Sequence, residues 1–377
     1  MPRYKLSDVA VEITDRENKP AESEYDRFVG LEHYVSGEVI IRNYGSTEKL
    51  ESTMKVFQSG DILVARRNVY LKRAAMVDFD GLTSGDSIVL RAKDPVLGRM
   101  LPFVLNTDLF WNFAEQHSDG TMSKRLSPKI LMQYEFDLPA YEKINDLADL
   151  LWSANDARES YQKLLKQTDE LVKSQFIEMF GKLPEEFKHD TVKLGDIADM
   201  LSGGTPSSKH PEYYGETYPF VTTPCLGKNY IDSSDAVNWL SEIGVEKSST
   251  HVIPAYSIMY GSRVGVGKSS INTCEMCTNQ DILSFFNIDT SKYDLLFIKK
   301  VMDQYIDYID TQKRGSTIKG VPSDLVKGIK IPVVAIEEQK AFAAFTEQTD
   351  KSKFELKQAI ENISVLMKSL MQQDFNN

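Results

Sequence analysis

Two stretches of the chain carry an unbroken helical pattern of apolar and polar positions. Residues 140 to 180 and 333 to 373 contain no Gly or Pro, and Pro139 and Pro332 stand just before them, where a helix start favours proline. In the first stretch the seam runs through Ile144, Leu147, Leu151, Ala154, Arg158, Tyr161, Leu165, Thr168 and Val172. In the second it runs through Phe342, Phe345, Thr349, Ser352, Leu356, Ala359, Ile363, Leu366 and Leu370. Steps alternating between three and four residues are the 3.5-residue period of a coiled coil. About 41 residues at 1.5 Å each give a rod of roughly 60 Å. A lone rod with one apolar seam is unstable in water, so each predicts the other as its partner. The chain order makes the pair antiparallel.

The remaining sequence has a different texture. Short apolar or alternating runs such as Glu38–Ile41, Asp61–Ala65, Ser87–Leu90, Ser257–Tyr260 and Asp281–Phe286 are separated by Gly- and Pro-containing turns. This pattern predicts strands joined by turns, with a helix or two. The two textures alternate because the chain is internally duplicated. Tyr4-Lys5-Leu6-Ser7-Asp8-Val9-Ala10 returns as Val192-Lys193-Leu194-Gly195-Asp196-Ile197-Ala198, an offset of 188. Phe136-Asp137-Leu138-Pro139 returns as Ile329-Lys330-Ile331-Pro332, an offset of 193, and Leu171-Val172-Lys173-Ser174 as Leu366-Met367-Lys368-Ser369, an offset of 195. The expected class is α+β: two pseudo-symmetric mixed domains separated by two long antiparallel coiled-coil helices. The expected boundaries are 1–138, 139–182, 183–332 and 333–377.

Composition is that of a globular protein, with 41% hydrophobic and 26% charged residues over 377 positions. No apolar run approaches the roughly 18 residues that span a bilayer, and three cysteines cannot make a disulfide framework. A cytoplasmic protein without membrane contact is expected. The formal charge of −11 argues at face value against nucleic acid. Segment by segment that argument weakens: residues 136–190 carry −5 and 336–377 carry −2, so seven of the eleven excess charges lie on the helical segments. Residues 1–135 and 191–335 carry only −2 each.

Within those nearly neutral domains the basic residues cluster. Arg66, Arg67 and Asn68, followed by Lys72 and Arg73, come after a predicted strand, and Ser262 and Arg263 with Lys268 mirror them in the second copy. Lys124 and Arg125 after Asp119-Gly120-Thr121 correspond to Lys313-Arg314-Gly315-Ser316-Thr317-Ile318-Lys319-Gly320. Such side chains reach phosphate oxygens and base edges, and Gly lets a backbone approach them. A solvated loop explains any one cluster better; recurrence at matching positions is what points to a contact surface.

Motifs for chemistry fail on context. Gly261–Ser269 ends in Gly-Lys-Ser, but the first glycine of a phosphate loop would fall at Ser262, and no amphipathic helix follows. Cys274-Glu275-Met276-Cys277 has the spacing of a zinc or redox pair, yet no second paired spacing completes a site, so buried thiols are expected. Five scattered histidines offer no partnered nucleophile. No catalytic or metal residue is assigned.

The order of these features resembles the DNA-specificity subunit family of type I restriction-modification systems. The resemblance spans the chain and rests on Lys193–Ala198 with Ser202-Gly203-Gly204-Thr205-Pro206-Ser207, on Tyr260–Gly265 and Thr278-Asn279-Gln280-Asp281-Ile282, and on Gly315–Val321 leading to Ile329–Pro332 and Glu337-Glu338-Gln339-Lys340. The first half has Lys5–Ala10 and Ser59–Asn68 but no Ser-Gly-Gly-Thr-Pro element. The resemblance implies two target-recognition domains, each reading half of a split double-stranded DNA site, with the helices setting the gap and docking two methyltransferase subunits. S-adenosylmethionine, ATP and Mg would then serve partner subunits, including restriction subunits, and this chain would be non-catalytic. It adds Thr205, Ser207, Asn279 and Gln280 to the candidate contacts, beside Arg314, Ser316, Thr317 and Lys319. A coiled-coil adaptor that binds only proteins is the alternative.

Overall fold

The computed structural model describes residues 2–120, 123–313 and 320–375. It divides into two compact units: residues 1–162 with 358–377, and residues 163–357. The two 40-residue helices, Tyr141–Phe180 and Ile336–Phe375, each contribute to both units. The division thus differs from the four expected segments, because the helices share cores with the strand-rich parts rather than standing apart from them.

In the first unit a four-stranded antiparallel sheet contains the strands Ala10–Ile13, Ser87–Ala92, Ile62–Ala65 and Ala74–Met76 in that spatial order. All four residues of Ile62–Ala65 are buried, and the strand period of two sends them to opposite sides. Ile62 and Val64 join a core with Phe103, Phe110 and Trp111, while Leu63 and Ala65 join a second core with Val29, Phe57 and Val77. Burial on both faces explains why this run reads as continuously apolar. A second sheet pairs Arg27–Val29 parallel to Gly81–Thr83 and antiparallel to Gly45–Ser46, with Met54–Phe57 on the other side of Gly81–Thr83.

The second unit repeats this plan by itself. Asp199–Ser202, Ile282–Phe286, Ile258–Gly261 and Ser269–Asn272 form the equivalent sheet, extended by Tyr230–Ile231. Ile258 and Tyr260 face a core with Phe297 and Phe342, and Met259 faces another with Val221 and Met276. Tyr214–Val221 again pairs parallel with Met276–Thr278. The duplication found in sequence is a duplication of topology.

In the first long helix Ile144, Leu147 and Leu151 enter the first unit's core and Val172 enters the second's, while Tyr161 and Leu165 are half-buried. In the second helix Phe342 is buried, and Phe345, Leu356, Ile363 and Leu370 are half-buried. Leu366 is 49% exposed; Met367, 4% exposed, takes the inward place and packs with Leu147 and Leu151. A straight helix turns every 3.6 residues, so a strict 3.5-residue seam drifts by about 20° per heptad, and the phase slips by one position toward the end. Within the second unit the helix segments run antiparallel: Lys353 pairs with Asp169 at 2.6 Å, while Phe342 packs on Phe176 and Phe180. The helix starts also differ from expectation. Pro332 closes the strand Lys330–Pro332, and Ala335 accepts the first helical bonds, from Glu338 and Gln339. No helix among the described residues is long and apolar enough to cross a membrane.

Candidate nucleic-acid interface

The basic loop of the first unit begins where the strand Ile62–Ala65 ends. The Arg66 amide donates to the Asp86 carbonyl at 2.9 Å, and the Arg66 carbonyl accepts from Leu126 at 2.8 Å. These two bonds pin residues 66–68 between the turn before Ser87–Ala92 and the hairpin that returns through Arg125. Asn68 takes a left-handed conformation, φ 55°, and its amide donates to the Lys124 carbonyl at 2.9 Å. Arg67 Nε donates to Ser123 Oγ at 3.1 Å, and Ser123 Oγ donates to Asn68 Oδ1 at 3.0 Å. Arg67 and Arg125 flank the Asp86 carboxylate at 3.7 and 3.5 Å, both guanidiniums about half exposed. The structure therefore brings Arg66, Arg67, Asn68, Lys124 and Arg125 together.

Lys72 and Arg73 serve differently. Arg73 donates to the carbonyls of Leu31 at 2.9 Å and Arg67 at 3.2 Å, so its guanidinium props the loop from behind. Lys72 pairs with Asp108 at 3.0 Å, and Lys368 reaches the same carboxylate at 3.1 Å. The bonds from Lys72 and Lys368 hold the Asp108 carboxyl below the usual aspartate range.

The second unit builds the same frame with different side chains. The Ser262 amide donates to the Asp281 carbonyl at 2.8 Å, and the Ser262 carbonyl accepts from Val321 at 2.8 Å. Ser262, Asp281 and Val321 thus take the places of Arg66, Asp86 and Leu126. Ser262 is 5% exposed and its hydroxyl donates back to the Asp281 carbonyl at 3.1 Å, so this candidate points inward. Arg263 is exposed, with Nη1 3.9 Å from Asp281 Oδ1. A Cβ on Gly320 would come within 3.0 Å of the Arg263 side chain, which keeps that position small. Thr205 donates its hydroxyl to Gln280 Oε1, tying the Ser-Gly-Gly-Thr-Pro segment to the loop. Gly203 is required there: a Cβ would fall 2.2 Å from Thr278 Oγ1. Ser207 is exposed, its Oγ accepting from the Lys209 amide at 3.3 Å. Asn279 is 9% exposed; its Nδ2 approaches Asp281 Oδ2 at 3.4 Å, and its Oδ1 finds no hydrogen-bond partner among the described residues. Arg314, Ser316, Thr317 and Lys319 lie outside the described residues.

Lys268 sits in the turn that joins Ile258–Gly261 to Ser269–Asn272, with Gly265 at φ 65° and Gly267 at φ 90°. The Gly-Lys-Ser segment thus runs from strand to strand, not from strand to helix, which is the wrong setting for a phosphate loop. Cys277 is buried with Phe220 and Leu240, whereas Cys274 packs against the Val221–Met276 cluster. Burial pushes the Cys277 thiol up to about 11. Sequence reading passed over Asp86 and quoted Asp281 only within Thr278–Ile282, assigning neither a role. Their signal was present: each stands one residue before or at the head of a buried strand, 195 positions apart.

Residues 184–364 match the family described as the type I restriction modification DNA specificity domain. The specificity subunit of the type I restriction enzyme MjaIX from Methanocaldococcus jannaschii is 30% identical over 174 residues, 45% of this chain and 39% of that protein. The HindI specificity subunit from Haemophilus influenzae is 26% identical over 184 residues, 47% of this chain and 40% of that protein. The matched regions span about two-fifths of these relatives' own length. Among solved structures, the S subunit of a type I restriction-modification system from M. genitalium is similar with a TM-score of 0.60 at 14% identity, covering 100% of this chain and 96% of that one. A chain from a structure of the complex assembly and conformational transition of the type I R-M system gives 0.56 at 18% identity, covering 99% and 96%. These likenesses bear out the fold class and the resemblance to type I specificity subunits.

Proposed function

We propose that this chain is the DNA-recognition subunit of a type I restriction-modification complex, each unit reading one half of a bipartite double-stranded site. The observation that carries this is the repeated loop frame: a strand end pinned by an aspartate carbonyl and by a returning segment presents an exposed arginine, Arg67 in one unit and Arg263 in the other. Arginine at a rigid strand end suits bidentate contact to guanine, worth about 1–3 kcal/mol of discrimination. The side chains around the two arginines differ, which suits two different half-sequences.

In this reading the long helices set the gap between the halves and dock two methyltransferase subunits, which would bind S-adenosylmethionine and methylate adenine. Restriction subunits using ATP and Mg would join them in the cytoplasm, and this chain would supply recognition without catalysis. The acidic outer faces of the helices fit a protein-facing role better than contact with DNA. A coiled-coil adaptor that binds only proteins would leave the paired arginine loops without a purpose. The deciding experiment is sequencing of methylated sites in DNA from cells expressing this chain with a modification subunit. A split asymmetric motif is expected, and Arg263→Ala should change one half of it alone. An adaptor would give no salt-dependent DNA affinity in the assembled complex.

A further inference from the structure

Asp86 and Asp281 hold equivalent places in loops whose other side chains have diverged. In each, the main-chain carbonyl anchors the residue before the arginine, and the carboxylate lies beside the arginine itself. The anchoring uses the carbonyl, so it does not explain the carboxylate. The carboxylate–guanidinium distances are 3.7 and 3.5 Å at Asp86 and 3.9 Å at Asp281, too long for hydrogen bonds, and the arginines are about half exposed. Such pairs contribute little to stability and are readily exchanged. A neighbouring carboxylate nevertheless cancels much of the positive potential that a DNA backbone would meet, and it repels phosphate at close range. Releasing the arginine therefore calls for an acceptor better than a passing phosphate, such as the paired acceptors of a guanine edge.

We infer that Asp86 and Asp281 are specificity-determining residues, each restraining an arginine by an exchangeable ion pair so that non-cognate duplex does not recruit it. The inference rests on the proposed DNA-reading function. Asp86 restrains two arginines, Arg67 and Arg125, whereas Asp281 faces Arg263 and the Asn279 amide, so the first loop depends more on its carboxylate.

The test uses the full chain assembled with its modification subunit, as wild type, Asp86→Asn and Asp281→Asn, at low salt. Binding to a random-sequence duplex is followed by fluorescence anisotropy across a KCl series, and preferred sites are selected from a randomised duplex pool. Asp86→Asn is expected to bind the random duplex about 3–10-fold more tightly, with a salt dependence steeper by about one ion, and to lose selectivity in one half-site only. Asp281→Asn is expected to do the same, more weakly, for the other half, and Asp86→Glu to keep the wild-type preference. Unchanged affinity and slope, or equal loss in both halves, overturns the inference while leaving the proposed function standing. A wild-type complex that selects no split site overturns both.

Discussion

At the residue scale, sequence located the basic clusters but not the use of each donor. Arg66, Arg67 and Arg73 read alike in the chain, yet Arg73 spends its guanidinium on two backbone carbonyls and Arg67 stands half exposed beside Asp86. Ser262 likewise reads as a contact residue and is buried. The difference lies in which side of a strand end a residue occupies, a matter of long-range pairing. Cysteine shows the same dependence on burial and gives a direct check. With the Cys277 thiol pushed up to about 11, its thiolate fraction at pH 8 is about one in a thousand. Native protein treated with iodoacetamide at pH 8 is expected to label the half-buried Cys225 and Cys274 first, with Cys277 at least about 100-fold slower than an ordinary thiol. Peptide mass spectrometry reads the order, and denaturation should abolish it. Equal native labelling would contradict the packing of Cys277 against Phe220 and Leu240.

At the element scale the long helices were legible because a seam sustained over 40 residues has no competing explanation, whereas its phase was not. The shift from Leu366 to Met367 reflects packing on a globular core as well as on a partner helix. Met367→Ala should therefore destabilise the first unit by about 2–4 kcal/mol and Leu366→Ala by under about 0.5 kcal/mol, measured by chemical denaturation. In the second unit the helix is joined to the strand-rich body by charge: Lys300 Nζ bonds Asp350, which also accepts from Asn229 at 3.1 Å. Burial alone would raise the Asp350 carboxyl, but the bond and charge of Lys300, with Asn229 and Lys353, more than offset it and hold the group below its ordinary range. A depressed folded value means the contribution is complete above the unfolded aspartate range near 4 and is lost as pH falls through the folded value. Because the Asp350 side chain is 36% exposed, Asp350→Asn should cost only about 1–2 kcal/mol at pH 7, less than a wholly buried pair. The deficit should vanish in acid. A pH-independent deficit would assign the loss to packing instead.

At the scale of the whole molecule, duplication was legible from three short matches in constant order, and it proved to govern topology down to the parallel pairs Phe28–Leu82 and Phe220–Cys277. Those pairs themselves could not be read from sequence, since nothing local distinguishes a parallel neighbour from an antiparallel one. The same division reinterprets the charge: the excess acidity belongs mainly to the helical segments, and the basic loops carry arginines balanced by single aspartates. The helices also give the proposed role its sharpest test, because each passes from one compact unit to the other, at residues 162/163 in the first and 357/358 in the second. One heptad inserted at both junctions adds about 10 Å of helix and turns the seam by only about 20°, so both units keep their cores. At 3.4 Å per base-pair step that length corresponds to about three steps. Methylation-site sequencing of the variant is expected to find the same two half-sequences with a gap longer by about three base pairs. A heptad in one helix alone should instead leave the antiparallel partners out of register and abolish methylation. If the doubly lengthened chain kept the original gap, the helices would not be the element that measures it, even with both arginine loops reading their halves.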